Sequence, residues 1–283
     1  SAADFFLPSE AAPLLRPRPA NLHKTTAGVV HLWTGSPRYP GAAFLTSLGA
    51  LRSGAGYVRL FSDRTVSAPL SPLLPELLLK DFPSERSPEP EAFLAGAKAL
   101  VIGSGLPPSE SLENFLARIL PSTAVPIVLD AGALDILARR PELLSSANAP
   151  LILTPHPGEF SRLMGKPIRN REESAQEWVQ PYPSTTLVVK GPHTLIADAQ
   201  HIPSFNGSGG PAMATAGMGD LLAGILGGML ASGYPAWDAG RLAVAWHGAA
   251  ADLASRSGGP SVLATDVAHR LPAAWRMMMA GAV

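Results

Sequence analysis

Apolar residues along this chain fall into short blocks separated by glycine-rich turns, and the blocks alternate between two periods. Val29–Trp33, 57–61, Ala99–Ile102, Ile127–Leu129, Leu151–Leu153 and 186–189 are short and almost continuously apolar, which predicts strands buried on both faces. Between them, 41–52, 111–120, 133–138 and the polar stretch 171–180 predict helices. Strand, glycine turn, helix, glycine stop and strand over 29–61 make a βαβ unit. Residues 194–197 read as the return strand of a hairpin, and 236–256 and 265–279 as two helices split by Ser257-Gly258-Gly259-Pro260. Prolines at 69, 72, 75, 83, 88 and 90 reduce 62–97 to short helices and loops. Strands and helices alternate almost to the end without an internal repeat. The expected fold class is therefore α/β: one domain over 23–283 with a mostly parallel central sheet and helices on both faces. Residues 1–22, with Leu14-Leu15-Arg16-Pro17-Arg18-Pro19, predict an extended N-terminal arm on the surface or on a neighbouring subunit.

The stretch 206–232 stands out. It opens with three glycines and a proline in six residues, passes Gly217-Met218-Gly219-Asp220, and becomes apolar. Leu221, Leu222, Ile225, Leu226, Met229 and Leu230 recur at helical spacing, so a buried helix follows the glycines. Gly224, Gly227 and Gly228 cost helix propensity, which predicts a neighbouring element packed very close. Glycines at a helix start leave free N–H groups and the positive dipole end for an anion. Asp220 stands there too. Either it takes a proton from a hydroxyl, or it merely caps the helix.

Composition narrows the class. Lys+Arg and Asp+Glu both number 22, so net charge gives no reason to expect a nucleic-acid or anionic-membrane partner. Hydrophobic residues make up 46% of the 283, ample for a core. Cysteine is absent, which removes disulfides, thiolate metal sites and a cysteine nucleophile. No apolar run reaches the roughly 18 residues of a membrane span. The first residues lack a basic and apolar leader pattern, so a cytoplasmic protein is expected.

Further candidates lie at strand ends. Gly103-Ser104-Gly105 lets a ligand approach the backbone or makes a plain turn. Asp130 lines a crevice or caps the next helix. His156 is held between two prolines, with Glu159 three residues on at a helix start. Lys190 at a buried strand end needs an anionic partner, which a phosphate would supply. His247 reads as a packed core or interface histidine rather than a ligand.

These segments together resemble the ADP/ATP-dependent NAD(P)H-hydrate dehydratase family of the ribokinase-like superfamily. The resemblance rests on TGSPRYPGAAFLTSLGALRSGAGYVRL at 34–60, VIGSGL at 101–106, VLDAGAL at 128–134, LTPHPGEFSRL at 153–163, VVKGPHTLIAD at 188–198 and AMATAGMGDLLAGILGGML at 212–230. TPHPGE, then KGxxT, then GMGD is specific in combination. The resemblance implies a ribokinase-like domain and a metabolite-repair lyase. Such an enzyme phosphorylates the ring hydroxyl of hydrated NADH or NADPH with ADP or ATP, then eliminates phosphate. It implies Asp220 as catalytic base and substrate contact, and Ala42, Gly105 and His156 as contacts to the damaged dinucleotide. Lys190, Gly191, Pro192, His193, Thr194, Gly217 and Gly219 are implied around the adenine nucleotide. Glu159 is implied to act on Mg²⁺ through water. A cytoplasmic homotetramer is expected with it. The chain departs from the family's usual pattern at Ser104, Pro107, Gly132 and Gly210. A vitamin-precursor or sugar kinase of the same superfamily is the alternative, and a nucleotide-binding protein without catalysis is a third reading.

Overall fold

Side chains on a strand alternate between faces, so a strand apolar throughout needs a helix layer on each side. The computed structural model, which describes residues 3–21, 23–82 and 86–281, shows that arrangement. Strands β1 (Asp4–Phe6), β2 (Val29–Trp33), β3 (Tyr57–Ser62), β4 (Leu78–Asp81), β5 (Ala99–Ile102), β6 (Ile127–Leu129), β7 (Leu151–Leu153), β8 (Thr185–Val189), β9 (Leu195–Ala197) and β10 (Ser204–Asn206) form one sheet. Its order is β1-β10-β9-β8-β7-β6-β5-β2-β3-β4. All neighbours pair in parallel except that β9 runs against both β8 and β10. The expected hairpin is thus β8–β9.

The helices are α1 (Pro40–Arg52), α2 (Arg64–Ser67), α3 (Pro90–Leu94), α4 (Glu110–Ile119), α5 (Gly132–Arg139), α6 (Glu142–Ser145), α7 (Pro157–Met164), α8 (Arg171–Val179), α9 (Met218–Ala231), α10 (Ala236–Gly258) and α11 (Ala264–Met279). β5 shows how they divide. Ala99 and Val101 join the core beneath α1, α9, α10 and α11, whereas Leu100 and Ile102 join the core beneath α3 to α8. α4 illustrates the local logic: Leu112, Phe115, Leu116 and Ile119 form one buried stripe, and the Ser109 hydroxyl caps the start by accepting from Leu112 N–H at 3.2 Å.

The glycines of α9 do what their spacing predicts. A Cβ on Gly224 would lie 2.1 Å from the Thr46 carbonyl oxygen, and one on Gly49 would lie 2.3 Å from that of Leu221. Gly227 turns to the sheet, against Val101 and Val30. Gly217 meets Leu45, Gly224 meets Thr46, and Gly228 meets Ser53, so the contacts climb both helices together. α1 and α9 therefore run parallel, backbone on backbone, with their N-termini at one end of the molecule.

Three strands escaped the sequence reading: β1, β4 and β10. Asp4–Phe6, expected in a surface arm, instead adds an edge strand in register with Ser204–Asn206. β4 lies within a segment expected to hold only short helices and loops. Of the expected arm, Ser1, Ala2 and Leu22 lie outside the described residues, as does Pro83. Among the described residues no helix is long and apolar enough to cross a membrane.

His247 is a core residue, as expected, 4% exposed on α10. Its Nε2 has no hydrogen-bond partner among the described residues, and burial pushes its pKa down to about 4. The folded protein thus excludes the charged ring while the unfolded chain accepts it near its ordinary value. Stability should fall as pH drops from 6.5 towards 4. His247→Leu should flatten that part of the curve of melting temperature against pH, and equal slopes in both proteins would contradict the assignment.

Candidate functional site

Parallel strands bring their carboxyl ends to one edge, where loops gather and ligands bind in α/β sheets. Here that edge collects Gly35–Ser36 after β2, Ser104–Gly105 after β5, Asp130 after β6, Thr154–His156 after β7 and Lys190–Thr194 after β8. Lys190 N–H donates to the Pro155 carbonyl at 2.8 Å, and Gly35 N–H to that of Ser104 at 2.7 Å, so the loops are tied to one another.

α9 begins at this edge. Gly217 is its N-cap in the left-handed region, φ +91°, a conformation that favours glycine. No side chain caps the helix, so the first-turn N–H groups, Met218 to Asp220, have no intrahelical partner and point outward. Asp220 therefore is not the N-cap, and it accepts no hydrogen bond among the described residues. Burial, helped by the Asp130 charge and opposed by Lys190, pushes its pKa up to about 6. That places the carboxyl in the range useful for general-base work near neutral pH.

Lys190 is the cation between α9 and the strand ends. A Cβ on Gly219 would lie 3.3 Å from its Nζ. The phosphate sought for Lys190 from sequence is not needed to neutralise it: Asp130 Oδ1 lies at 2.8 Å and Glu159 Oε2 at 3.9 Å. Asp130 is not a helix cap either, because α5 starts at an Ala131 cap without a side-chain bond. It is 2% exposed and accepts from Lys190 Nζ, Ser104 Oγ and Thr154 Oγ1, each at 2.8 Å. Burial alone would raise its pKa, but the Lys190 charge and these three bonds outweigh that and hold it below the usual carboxylate range. Lys190 follows the same logic in reverse: burial would lower it, and the Asp130 and Glu159 charges raise it.

His156 and Glu159 open α7 as a reciprocal cap. His156 Nδ1 accepts from the N–H groups of Gly158 at 3.0 Å and Glu159 at 3.3 Å, and Glu159 Oε2 accepts from His156 N–H at 2.7 Å. An accepting Nδ1 places the ring proton of the neutral imidazole on Nε2, which lies 3.7 Å from Glu159 Oε2 on a half-exposed ring. The proline-framed turn and this cap together fix the histidine at the head of α7.

The remaining residues sort by loop. Gly105, φ +68°, packs so tightly that a Cβ would lie 2.4 Å from that of Ala42, and its carbonyl accepts from Ser36 Oγ at 2.7 Å. Since Ala42 heads α1, this contact joins the Gly105 loop to the end of the α1–α9 pair where Asp220 stands. Gly191, Pro192, His193 and Thr194 form a mostly exposed loop. Arg171 of α8 holds it by donating to the carbonyls of Pro192 at 3.0 Å and His193 at 2.7 Å. Sequence reasoning missed Arg171, and it missed Phe5 of β1, whose ring meets His193 edge-on at 5.7 Å. Neither follows a motif.

Two of the family departures explain each other. A side chain at Gly132 would meet the Leu106 carbonyl oxygen at 2.1 Å and the Pro107 backbone at 3.3 Å. The 104–107 loop thus occupies the space that a residue larger than glycine would need. Gly210 has open space around it.

The family model described as NAD(P)H-hydrate dehydratase matches residues 30–273. The ADP-dependent (S)-NAD(P)H-hydrate dehydratase of Bacillus subtilis (strain 168) is 36% identical over 92% of this chain and 93% of its own length. The crystal structure of the ADP/ATP-dependent NAD(P)H-hydrate dehydratase from Bacillus subtilis co-crystallised with ATP/Mg²⁺ superposes with a TM-score of 0.86 at 34% identity, covering 98% of this chain and 99% of that one. A ribokinase-like superfamily protein from Enterococcus faecalis V583 gives a TM-score of 0.88 at 26% identity over 98% of this chain and 96% of that one. The chain spans about half the length of the bifunctional NAD(P)H-hydrate repair enzymes that it also matches.

Proposed function

The chain belongs to the NAD(P)H-hydrate dehydratase family, and from that premise and the site geometry we propose that it restores hydrated nicotinamide cofactors at the expense of ADP or ATP. The observation that carries the reading is Asp220: an ionisable carboxyl at the head of α9 that, among the described residues, has no hydrogen bond of its own and stands beside first-turn amides that no side chain caps. In the first step Asp220 takes the proton of the ring hydroxyl. The freed oxygen attacks the terminal phosphorus of the nucleotide, and that bond to the departing nucleotide breaks. The N–H groups at 217–219 and Lys190 receive the negative charge of the migrating phosphoryl group. Phosphate then leaves the ring with the electrons of its C–O bond, the adjacent ring carbon gives up a proton to solvent, and the double bond so formed restores the reduced nicotinamide. Lys190, Gly191, Pro192, His193 and Thr194 border the adenine nucleotide in this reading. Ala42, Gly105 and the His156 Nε2–H face the damaged dinucleotide.

The charge balance at the edge supports a metal carried by the nucleotide. Asp130, Glu159 and Asp220 surround one lysine, so phosphate entering there needs added positive charge. Among the described residues no group of three metal-ligating side chains stands ready. Mg²⁺ held by phosphate oxygens, with Glu159 acting through water, fits that donor set and would neutralise charge on the transferred group. The same reading makes the protein a cytoplasmic homotetramer, which light scattering tests.

A turnover assay with hydrated NADH, Mg²⁺ and either nucleotide decides the matter. Recovery of the nicotinamide absorbance is expected, whereas a stable phosphorylated alcohol would assign the chain to the kinases. Arg171→Ala should raise the nucleotide KM about 5- to 20-fold with kcat changed less than about twofold, because the loop clamp and a cation–π contact with Phe205 are lost while Asp220 keeps its place. An unchanged KM would remove Arg171 from the site.

A further inference from the structure

A cavity of about 550 Å³ opens at the opposite end of α1 and α9, where both helices finish. From Asp220 to the helix end at Ala231 is about 16 Å along α9, at about 1.5 Å per residue. Arg16, Arg18, Arg52 and Arg276 border this cavity, and no carboxylate is among its described lining residues. A chain with equal numbers of acidic and basic residues has thus gathered four guanidinium groups around one opening. Arg16 Nη1 donates to the Gly233 carbonyl at 3.0 Å, and Arg18 Nη2 to that of Gly54, where they complement the negative ends of α9 and α1. That accounts for one N–H of each. The side chains of Arg52 and Arg276 have no partner among the described residues.

The wall is aromatic. Trp246 is buried and fixed, its Nε1–H donating to the Leu271 carbonyl at 2.7 Å. Trp275 packs against it with ring centroids 4.7 Å apart at 54° and remains partly exposed. The volume lies within the range of small-molecule sites.

We propose that this cavity is a second ligand site, for a small phosphorylated molecule bearing a planar ring. Its phosphate sits between Arg52 and Arg276, whose forked donors match phosphate oxygens, and its ring lies against Trp275. The proposal does not depend on the catalytic reading, because the two sites lie at opposite ends of α9 and are assayed separately.

The probe is 1-naphthyl phosphate, titrated calorimetrically into the full chain with saturating ADP present to fill the nucleotide site. One equivalent should bind. Affinity should fall at least tenfold in the Arg52→Ala/Arg276→Ala variant and at least fivefold in Arg52→Glu, with cofactor-repair turnover in both variants within about twofold of the parent. Inorganic phosphate should bind at least tenfold more weakly, since it has no ring to stack. No binding with ADP present, or equal affinity in parent and both variants, would overturn the proposal. So would cross-linking of the oligomer showing that these arginines are covered by a second copy of the chain.

Discussion

Asp220→Asn should lower turnover of hydrated NADH by about 10²- to 10⁴-fold while leaving ADP affinity within about threefold of the parent. The amide keeps the size and the neighbours of the carboxyl and loses only its ability to accept a proton. In the parent, kcat/KM should rise with pH and level off above about 6, where Asp220 becomes ionised. The same substitution should stabilise the fold. Because the folded-state pKa lies above the unfolded value of 3.8, ionised Asp220 costs stability at pH 8, by about 1–3 kcal/mol for a shift to about 6. As pH falls through 6 towards 3.8 the folded carboxyl protonates first and that cost disappears. Asp220→Asn should therefore melt above the parent at pH 8, with the gap closing by pH 4. A variant that keeps full turnover refutes the base assignment, and one that melts no higher at pH 8 refutes the buried, unpartnered carboxylate.

Gly224→Val should destabilise the protein by at least about 3 kcal/mol, a drop of roughly 6–12 °C in melting temperature for a domain of this size. The new Cβ would meet the Thr46 carbonyl oxygen at 2.1 Å and the Ala50 nitrogen at 2.9 Å. These are backbone atoms of a helix, which cannot step aside as a flexible side chain can. Separation of α1 from α9 would also disturb the end where Ala42 and Asp220 stand, so activity should fall below what unfolding alone explains. Gly210→Ala, with nothing within 4 Å of the added carbon, is the control and should melt within about 1 °C of the parent. Equal melting of Gly224→Val and the control would contradict the close crossing.

Much of this was legible in the sequence because burial on both faces writes long apolar runs. β2, β5, β6 and β7 match their runs residue for residue, and the glycines of α9 announced a close neighbour before that neighbour was known. β1, β4 and β10 left no such trace. They are three or four residues long, lie towards the sheet margins, and mix Asp, Lys, Ser and Asn with apolar residues. At the site, motif spacing located Asp220, His156, Glu159 and Lys190, but not their wiring. Lys190 and Asp130 stand 60 positions apart, so only the folded chain shows that one neutralises the other. Ser104 looked like a mere departure from a family pattern, yet its hydroxyl is one of the three donors that keep Asp130 charged. Gly132 looked like another such departure, yet the Leu106 carbonyl leaves no room there for a side chain.

The pairing of β1 with β10 has a consequence for how the molecule is made. Among the described residues, Asp4–Phe6 has its one sheet neighbour some two hundred positions downstream, at Ser204–Asn206. On a ribosome adding about 5–20 residues per second, that partner emerges roughly 10–40 seconds later. Nascent β1 must wait through that interval while β2 to β9 emerge, so it cannot dock until after the interior strands have been made.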